Sequence, residues 1–201
     1  IPRPETEVLV DVALAGVDAA SQNADGEVRV LEVGVGTGCI SLSIATERPQ
    51  TRVYATDLSP KAIALATRNR DALDLQERVE LIECDLVEGV PAELAQSFSV
   101  LVSNPPYIPT RVLEQEVPAE VKGFEPEIAL DGGEDGLDVY RRLLEAAPHM
   151  LLPGGMLCVE LYEGHLDKAA HLAEEQGVWE SVEVKEDLTH RPRILVARLA
   201  K

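Results

Sequence analysis

In this 201-residue chain, the stretch that most suggests chemistry is Ser103-Asn104-Pro105-Pro106-Tyr107. It follows the apolar run 98–102, which reads as a buried strand bounded by turn formers. Two successive prolines stop a strand, remove two backbone donors and fix φ at both positions. They also push Asn104 into an extended conformation. The result is a rigid corner from which the Asn104 carboxamide and the carbonyls of Asn104 and Pro105 can project into one small space. Such a corner can hold a planar N–H-bearing group by accepting both of its hydrogens. The same residues would also make an ordinary strand-terminating turn, so the rest of the chain must decide.

A second constellation lies upstream. Glu32-Val33-Gly34-Val35-Gly36-Thr37-Gly38 follows the apolar run 28–33 and precedes an apolar helix over 39–46. Strand, glycine loop and helix in that order open a nucleotide-binding α/β unit. The dinucleotide fingerprint G-x-G-x-x-G would need glycine where Cys39 stands, and no lysine follows as in a P-loop. Gly34-x-Gly36-x-Gly38 therefore suits a close-lying nucleoside without phosphates. Asp57, ending the second strand, is placed for ribose hydroxyls. Asp85, ending the third, would fall near an adenine. Singly, each acid also reads as a loop cap. Together with Asn104 they would share one carboxyl edge of a parallel sheet, where such folds bind ligands. That combination favours S-adenosylmethionine over a nicotinamide or a nucleoside triphosphate.

These residues need elements to hold them. Pro4 and the acids Glu5 and Glu7 suit a helix start, with Val8, Leu9, Val12 and Ala13 at helical spacing. Strands are expected over 28–33, 52–56, 79–83, 98–102 and 156–161. Helices are expected over 39–46, 60–73, 137–150 and 166–176, the second capped by Ser59 with Pro60 at its first position. Residues 108–135 are rich in Pro, Gly and Glu and read as an irregular loop. Residues 153–155 read as a turn. The last two strands, 179–185 and 194–199, are close enough to form an antiparallel hairpin at the sheet's edge.

Composition limits the functions available. A hydrophobic content of 45% over 201 residues fits one globular domain. The net charge of −18 repels phosphate backbones, which counts against nucleic acid as main substrate. The densest basic patch, Arg191-Pro192-Arg193, is short. Cys39, Cys84 and Cys158 are isolated, and the four histidines are scattered, so neither a disulfide framework nor a metal site is expected. The acidic loop from Asp131 does not make a calcium site, because Arg142 stands where an EF-hand needs glutamate. No run is apolar enough to span a bilayer, and a cytoplasmic location is expected.

The chain resembles the protein-(glutamine-N5) methyltransferases that modify peptide chain release factors, the HemK-like group. The resemblance runs nearly end to end. It rests on Ile1-Pro2-Arg3-Pro4-Glu5-Thr6-Glu7, Leu31-Glu32-Val33-Gly34, Ser103-Asn104-Pro105-Pro106-Tyr107-Ile108, Phe124-Glu125-Pro126 with Ala129-Leu130, Gly133-Glu134-Asp135-Gly136-Leu137-Asp138 and Arg191-Pro192-Arg193. The Asn-Pro-Pro-Tyr corner alone is shared with amino-methyltransferases of nucleic-acid bases. The opening heptapeptide and the Gly-Glu-Asp-Gly-Leu-Asp segment are more specific to the release-factor group. The heptapeptide also tilts against the related ribosomal-protein glutamine methyltransferases.

The resemblance implies an α/β class I, Rossmann-like methyltransferase fold, with a seven-stranded mixed sheet and helices on both faces. It implies that Glu32, Gly34, Val35, Gly36, Thr37, Gly38, Asp57, Leu58, Asp85, Leu86 and Asn104 hold S-adenosylmethionine. Asn104, Pro105, Pro106 and Tyr107 would hold the glutamine of a Gly-Gly-Gln loop, with Asn104, Pro105 and Tyr107 the catalytic set. Tyr107 also reads as a core aromatic. There are departures: Leu86 stands where relatives often carry an aromatic, and Leu161-Tyr162-Glu163-Gly164-His165 replaces a more usual Glu-x-Gly-x-x-Gln-like stretch. The family's upstream helical domain is expected to be missing from this piece. An amide nitrogen is a poor nucleophile, its lone pair being delocalised into the carbonyl, so positioning has to carry the reaction. A nucleic-acid N-methyltransferase and a catalytically silent binding module are the alternatives.

Overall fold

The computed structural model describes residues 4–22, 26–115 and 127–201. Ile1, Pro2 and Arg3 of the opening heptapeptide and Phe124-Glu125-Pro126 lie outside the described residues.

Helix α1 (Pro4–Ser21) is followed by β1 (Val28–Val33), α2 (Cys39–Glu47), β2 (Thr51–Asp57), α3 (Pro60–Ala72), β3 (Val79–Glu83) and β4 (Phe98–Ser103). A short α4 (Thr110–Gln115), then α5 (Asp138–Met150), β5 (Leu151–Glu160), α6 (Leu166–Glu175), β6 (Trp179–Glu186) and β7 (Pro192–Leu199) complete it. Among the described residues seven strands form one sheet in the order β3-β2-β1-β4-β5-β7-β6. The first five run parallel, while β7 is antiparallel to both β5 and β6. The expected seven-stranded mixed sheet and terminal hairpin are thus present, with β6 as the outer strand. Its charged residues (Glu180, Glu183, Lys185, Glu186) are the usual guard against edge-to-edge pairing.

Both faces of the sheet are covered. Leu31, Leu101, Leu157 and Val159 pack with Leu143, Leu144 and Ala147 of α5 and Ala169 and Ala173 of α6. Val28, Val30, Val100, Val102 and Cys158 pack with Leu9, Ala13 and Val17 of α1 and Ile40 and Ile44 of α2. Phe98 joins the first group although its parity matches Val100. The pairing register shifts between these two residues, and an offset in register moves a side chain to the other face.

Two sequence expectations need correcting. Residues 153–155 are not a turn before a separate strand, because β5 begins at Leu151, which pairs with Phe98. The register shift absorbs Pro153 and Gly154, the latter at φ 78°. Nor is 108–135 irregular throughout. Thr110–Gln115 is helical and Glu127–Ala129 is a 3₁₀ turn. Ile108 forms a parallel bridge with Asp131, which closes the base of that excursion. Composition hid this order, since Pro, Gly and Glu also suit helix entries and tight turns.

Register positions the site. Val33 lies beside Thr56 on one side and Ser103 on the other, and Ser103 beside Val159. One residue further along each strand, Asp57, Gly34, Asn104 and Glu160 therefore stand in a row at the carboxyl edge. Between β1 and β4 the strand order reverses direction, the switch point at which α/β sheets open a crevice.

Candidate active site

The glycine loop is shaped by its own backbone and by Asp57. Gly34 and Val35 both donate to the Thr56 carbonyl at 2.9 Å, and Gly38 donates to Val35 at 2.8 Å. Gly34, Gly36 and Gly38 have φ of 81°, 53° and 84°, a region side chains disfavour. The three glycines differ in purpose. A β-carbon on Gly34 or Gly36 would meet nothing within 4 Å, so these two keep an open cradle that a ligand can approach. One on Gly38 would press on Leu42 at 3.0 Å, so this glycine serves the packing of α2. Thr37 is held from α3, where Asn69 Nδ2 donates to its carbonyl at 2.8 Å.

Asp57 is anchored at both oxygens. Oδ2 accepts from the Gly36 N–H at 2.9 Å and Oδ1 from the Ser59 N–H at 2.8 Å. Each carboxylate oxygen keeps a further lone pair, so a hydroxyl can still be bound. Ser59 caps α3 by accepting from the Ala62 N–H, with Pro60 at the first position, as the sequence predicts. Leu58 beside it is 53% exposed, an apolar surface next to the carboxylate.

Glu32 is buried beneath the loop. Its Oε2 accepts from the Ser41 N–H at 2.9 Å and from the Ser41 hydroxyl, while Oε1 is buried without a partner among the described residues. Burial pushes its pKa up to about 8, only partly offset by the Ser41 bonds. The open cradle at Gly34 and Gly36, with the Asp57 carboxylate at its edge, fits a ligand that brings hydroxyl or N–H donors close to the backbone.

The third strand end is arranged differently. Asp85 Oδ2 accepts from Arg142 of α5 at 2.8 Å, so its charge is held by a protein partner. Leu86 sits at φ 46°, is half-buried against the core, and accepts from the Thr56 hydroxyl at 2.6 Å. These contacts are those of a loop anchor.

At the Asn-Pro-Pro-Tyr corner, the buried Ser103 hydroxyl donates to the Val33 carbonyl at 2.7 Å and ties β4 to β1. Asn104 follows half-buried, Pro105 buried and Pro106 half-buried. Asn104 Nδ2 donates to the Thr6 hydroxyl at 3.2 Å, and Thr6 donates to Glu160 Oε2 at 2.9 Å. Tyr107 is half-buried at the margin of the core.

A loop absent from the sequence-level site holds the corner from behind. Ile108 donates to Leu130 at 3.0 Å and accepts from Gly132 at 2.8 Å. A β-carbon on Gly132 would lie 2.7 Å from Tyr107 Cα, and one on Gly136 would lie 2.5 Å from the Tyr107 carbonyl oxygen. Asp131 closes the loop by accepting from Thr110 at 2.7 Å and from the Gly133 N–H at 3.0 Å. Asp135 ties it to the helices through Arg141 and Lys168, whose hydrogen bonds hold its carboxyl well below the usual range. The ring of His165, in the 3₁₀ turn after β5, fills the other side of Gly136. Arg191 and Arg193 face Glu163 and Asp187, at 3.6 Å and 3.5 Å.

Thr6 and Glu160 are the site neighbours the sequence reading passed over. Each carried a signal. Thr6 is a polar residue on the buried stripe Leu9, Ala13, Val17, and Glu160 is an acid inside an apolar strand.

The model of the methyltransferase small domain family matches residues 13–121, more than half of the chain. The chain belongs to that family. It is 38% identical over 200 residues to the release factor glutamine methyltransferase of Clostridium acetobutylicum, covering 98% of this chain and 66% of that protein. It is 46% identical over 167 residues to the protein of the same description from Geobacter sulfurreducens, covering 83% of this chain and 54% of that one. The resemblance read from the motifs is borne out. The chain spans between just over half and just under two thirds of the length of these relatives. A methyltransferase structure from Pyrococcus furiosus superposes with a TM-score of 0.64 at 20% identity, covering 88% of this chain and 77% of that one. That likeness bears on the fold, which is the class I methyltransferase fold expected from the sequence.

Proposed function

We propose that this chain transfers a methyl group from S-adenosylmethionine to the side-chain amide nitrogen of the glutamine in the Gly-Gly-Gln motif of peptide chain release factors. The observation that carries the proposal is the row Asp57, Gly34, Asn104 at the β1/β4 switch point, which stands the open glycine loop beside the Asn-Pro-Pro corner and so supports this reading. When bound, S-adenosylmethionine would supply an electrophilic methyl on a sulfonium; as the N–C bond forms, the S–C bond breaks to leave the thioether S-adenosylhomocysteine and one amide proton is lost to solvent. Gly34 and Gly36 give the backbone approach, Asp57 accepts from the ribose, and Glu32 faces the loop from beneath. Asn104 Oδ1 and the Pro105 carbonyl accept the two hydrogens of the substrate amide and fix the direction of its nitrogen. Tyr107, its backbone clamped by Gly132 and Gly136, bounds the amide plane. The names of the relatives support the release factor as partner.

The net charge of −18 speaks against nucleic acid as the substrate. Among the described residues no helix is long and apolar enough to cross a membrane. A cytoplasmic location belongs to the same reading. Transfer of radiolabelled methyl to release factor, to its Gly-Gly-Gln→Ala form, and to tRNA and DNA in parallel tests the proposal. Label is expected on the intact release factor alone. Label on the alanine form, or on nucleic acid instead, would overturn it.

A further inference from the structure

The line from Glu160 through Thr6 to Asn104 joins the end of β5, the first turn of α1 and the corner after β4. Glu160 is 1% exposed and Thr6 is 5% exposed, so water does not compete for their hydrogen bonds. A hydroxyl has one hydrogen to give. That of Thr6 goes to Glu160 Oε2 at 2.9 Å, which leaves Thr6 Oγ1 as an acceptor toward Asn104. The Asn104 carboxamide can meet it only with Nδ2. The opposite flip would set two oxygens against each other with no proton between them.

We infer that Thr6 and Glu160 are positioning residues that fix the polarity of the Asn104 carboxamide, keeping Oδ1 turned outward as the acceptor for the substrate amide. The inference rests on the function proposed above and deepens it. An asparagine at a strand end would otherwise populate both flips, and in one of them it would present a donor to a group that also donates. The line explains why a polar residue interrupts the buried stripe of α1, and why an acid ends an apolar strand. It also couples α1 to the reacting corner across 98 residues of sequence.

The test is a double-mutant cycle on methyl transfer to release factor, with cofactor affinity measured calorimetrically for each variant as proof of folding. Thr6→Val keeps the shape and removes the hydroxyl. It is expected to lower kcat on the order of tenfold, the scale of losing one hydrogen bond, with KM and cofactor affinity within a few-fold. Thr6→Ser should restore kcat. In the Asn104→Ala background Thr6→Val should have almost no further effect, because its influence passes through Asn104. Thr6→Ala serves in the same cycle if the valine variant does not fold. The inference is overturned if the Thr6 variants turn over like the parent, or lose the same factor with and without Asn104. If Asn104→Ala itself retains turnover, the proposed role of the corner fails, and the relay with it.

Discussion

Gly36 gives its backbone N–H to Asp57 Oδ2 at 2.9 Å while Ser59 gives its own to Oδ1 at 2.8 Å, so one carboxylate braces both the glycine loop and the start of α3. Asp57→Asn is then not a mild change. An amide has one accepting oxygen, and its NH₂ would face one of these two donors. We expect Asp57→Asn and Asp57→Ala alike to weaken S-adenosylmethionine binding by roughly 10- to 150-fold, the worth of a charge-assisted bond of about 1.5–3 kcal/mol. Calorimetric titration checks this, and an asparagine variant that binds like the parent would refute the bracing role.

Glu32 should make stability depend on pH in a defined direction. Its ordinary pKa of 4.5 rises to about 8 in the fold, chiefly through burial. Between these values the folded chain holds a proton that the unfolded chain has released. Stability from this group is therefore complete below about pH 4.5 and is lost as pH rises through about 8. Glu32→Gln, which cannot titrate, removes the dependence. Melting curves taken from pH 5 to 8 should show the parent losing ground steadily against the glutamine variant. Parallel curves across that range would count against a protonated Glu32.

Gly136 is the tightest point of the clamp on Tyr107. At φ 74° a side chain is strained, and a β-carbon there would also press on the Tyr107 carbonyl and the His165 ring, both at 2.5 Å. Gly136→Ala should lower stability by about 1–3 kcal/mol and reduce turnover more than cofactor affinity, since the cradle at Gly34 and Gly36 is built separately. Denaturant unfolding and calorimetry check the two parts. An unchanged melting point would mean that the loop does not hold the corner.

The residues that were legible from sequence share a property: their chemistry is local. Gly34, Gly36 and Gly38 announce a close-approach loop by spacing alone, Ser59-Pro60 announces a helix start, and Asn104-Pro105-Pro106 announces a rigid corner. The parallel order of the sheet followed from strands alternating with helices. What remained hidden depends on partners far along the chain. Nothing in the neighbours of Asp85 points to Arg142, and the pairing of Thr6 with Glu160 spans 154 residues. The segment 131–136 reads from sequence only as part of an irregular acidic loop, because its order comes from contacts with Ile108, Tyr107 and two helices. The excursion expected at 153–155 is present as a break in register, with Gly154 at φ 78°, and what local propensity does not carry is that β5 pairs with β4 before it, at Leu151, as well as after it, from Met156.

The Asn104 relay yields a pH-dependent prediction. Asn104→Asp keeps an acceptor toward the substrate amide, but it removes the Nδ2 donor that meets Thr6. The single Thr6 hydrogen would then lie between two carboxylates, that of Glu160 and the one introduced after β4. Like charges so placed disfavour the doubly ionised pair. A proton taken up by that pair restores a donor between the introduced carboxyl and Thr6. The aspartate variant should therefore be impaired at high pH and regain turnover, relative to the parent, as pH falls from about 8 to about 6. The Asn104→Ala variant has no such group and should show no relative recovery over the same range. Turnover of the three proteins measured across these pH values decides it. A constant ratio of aspartate variant to parent would show that the donor toward Thr6 is not what the reaction needs from Asn104.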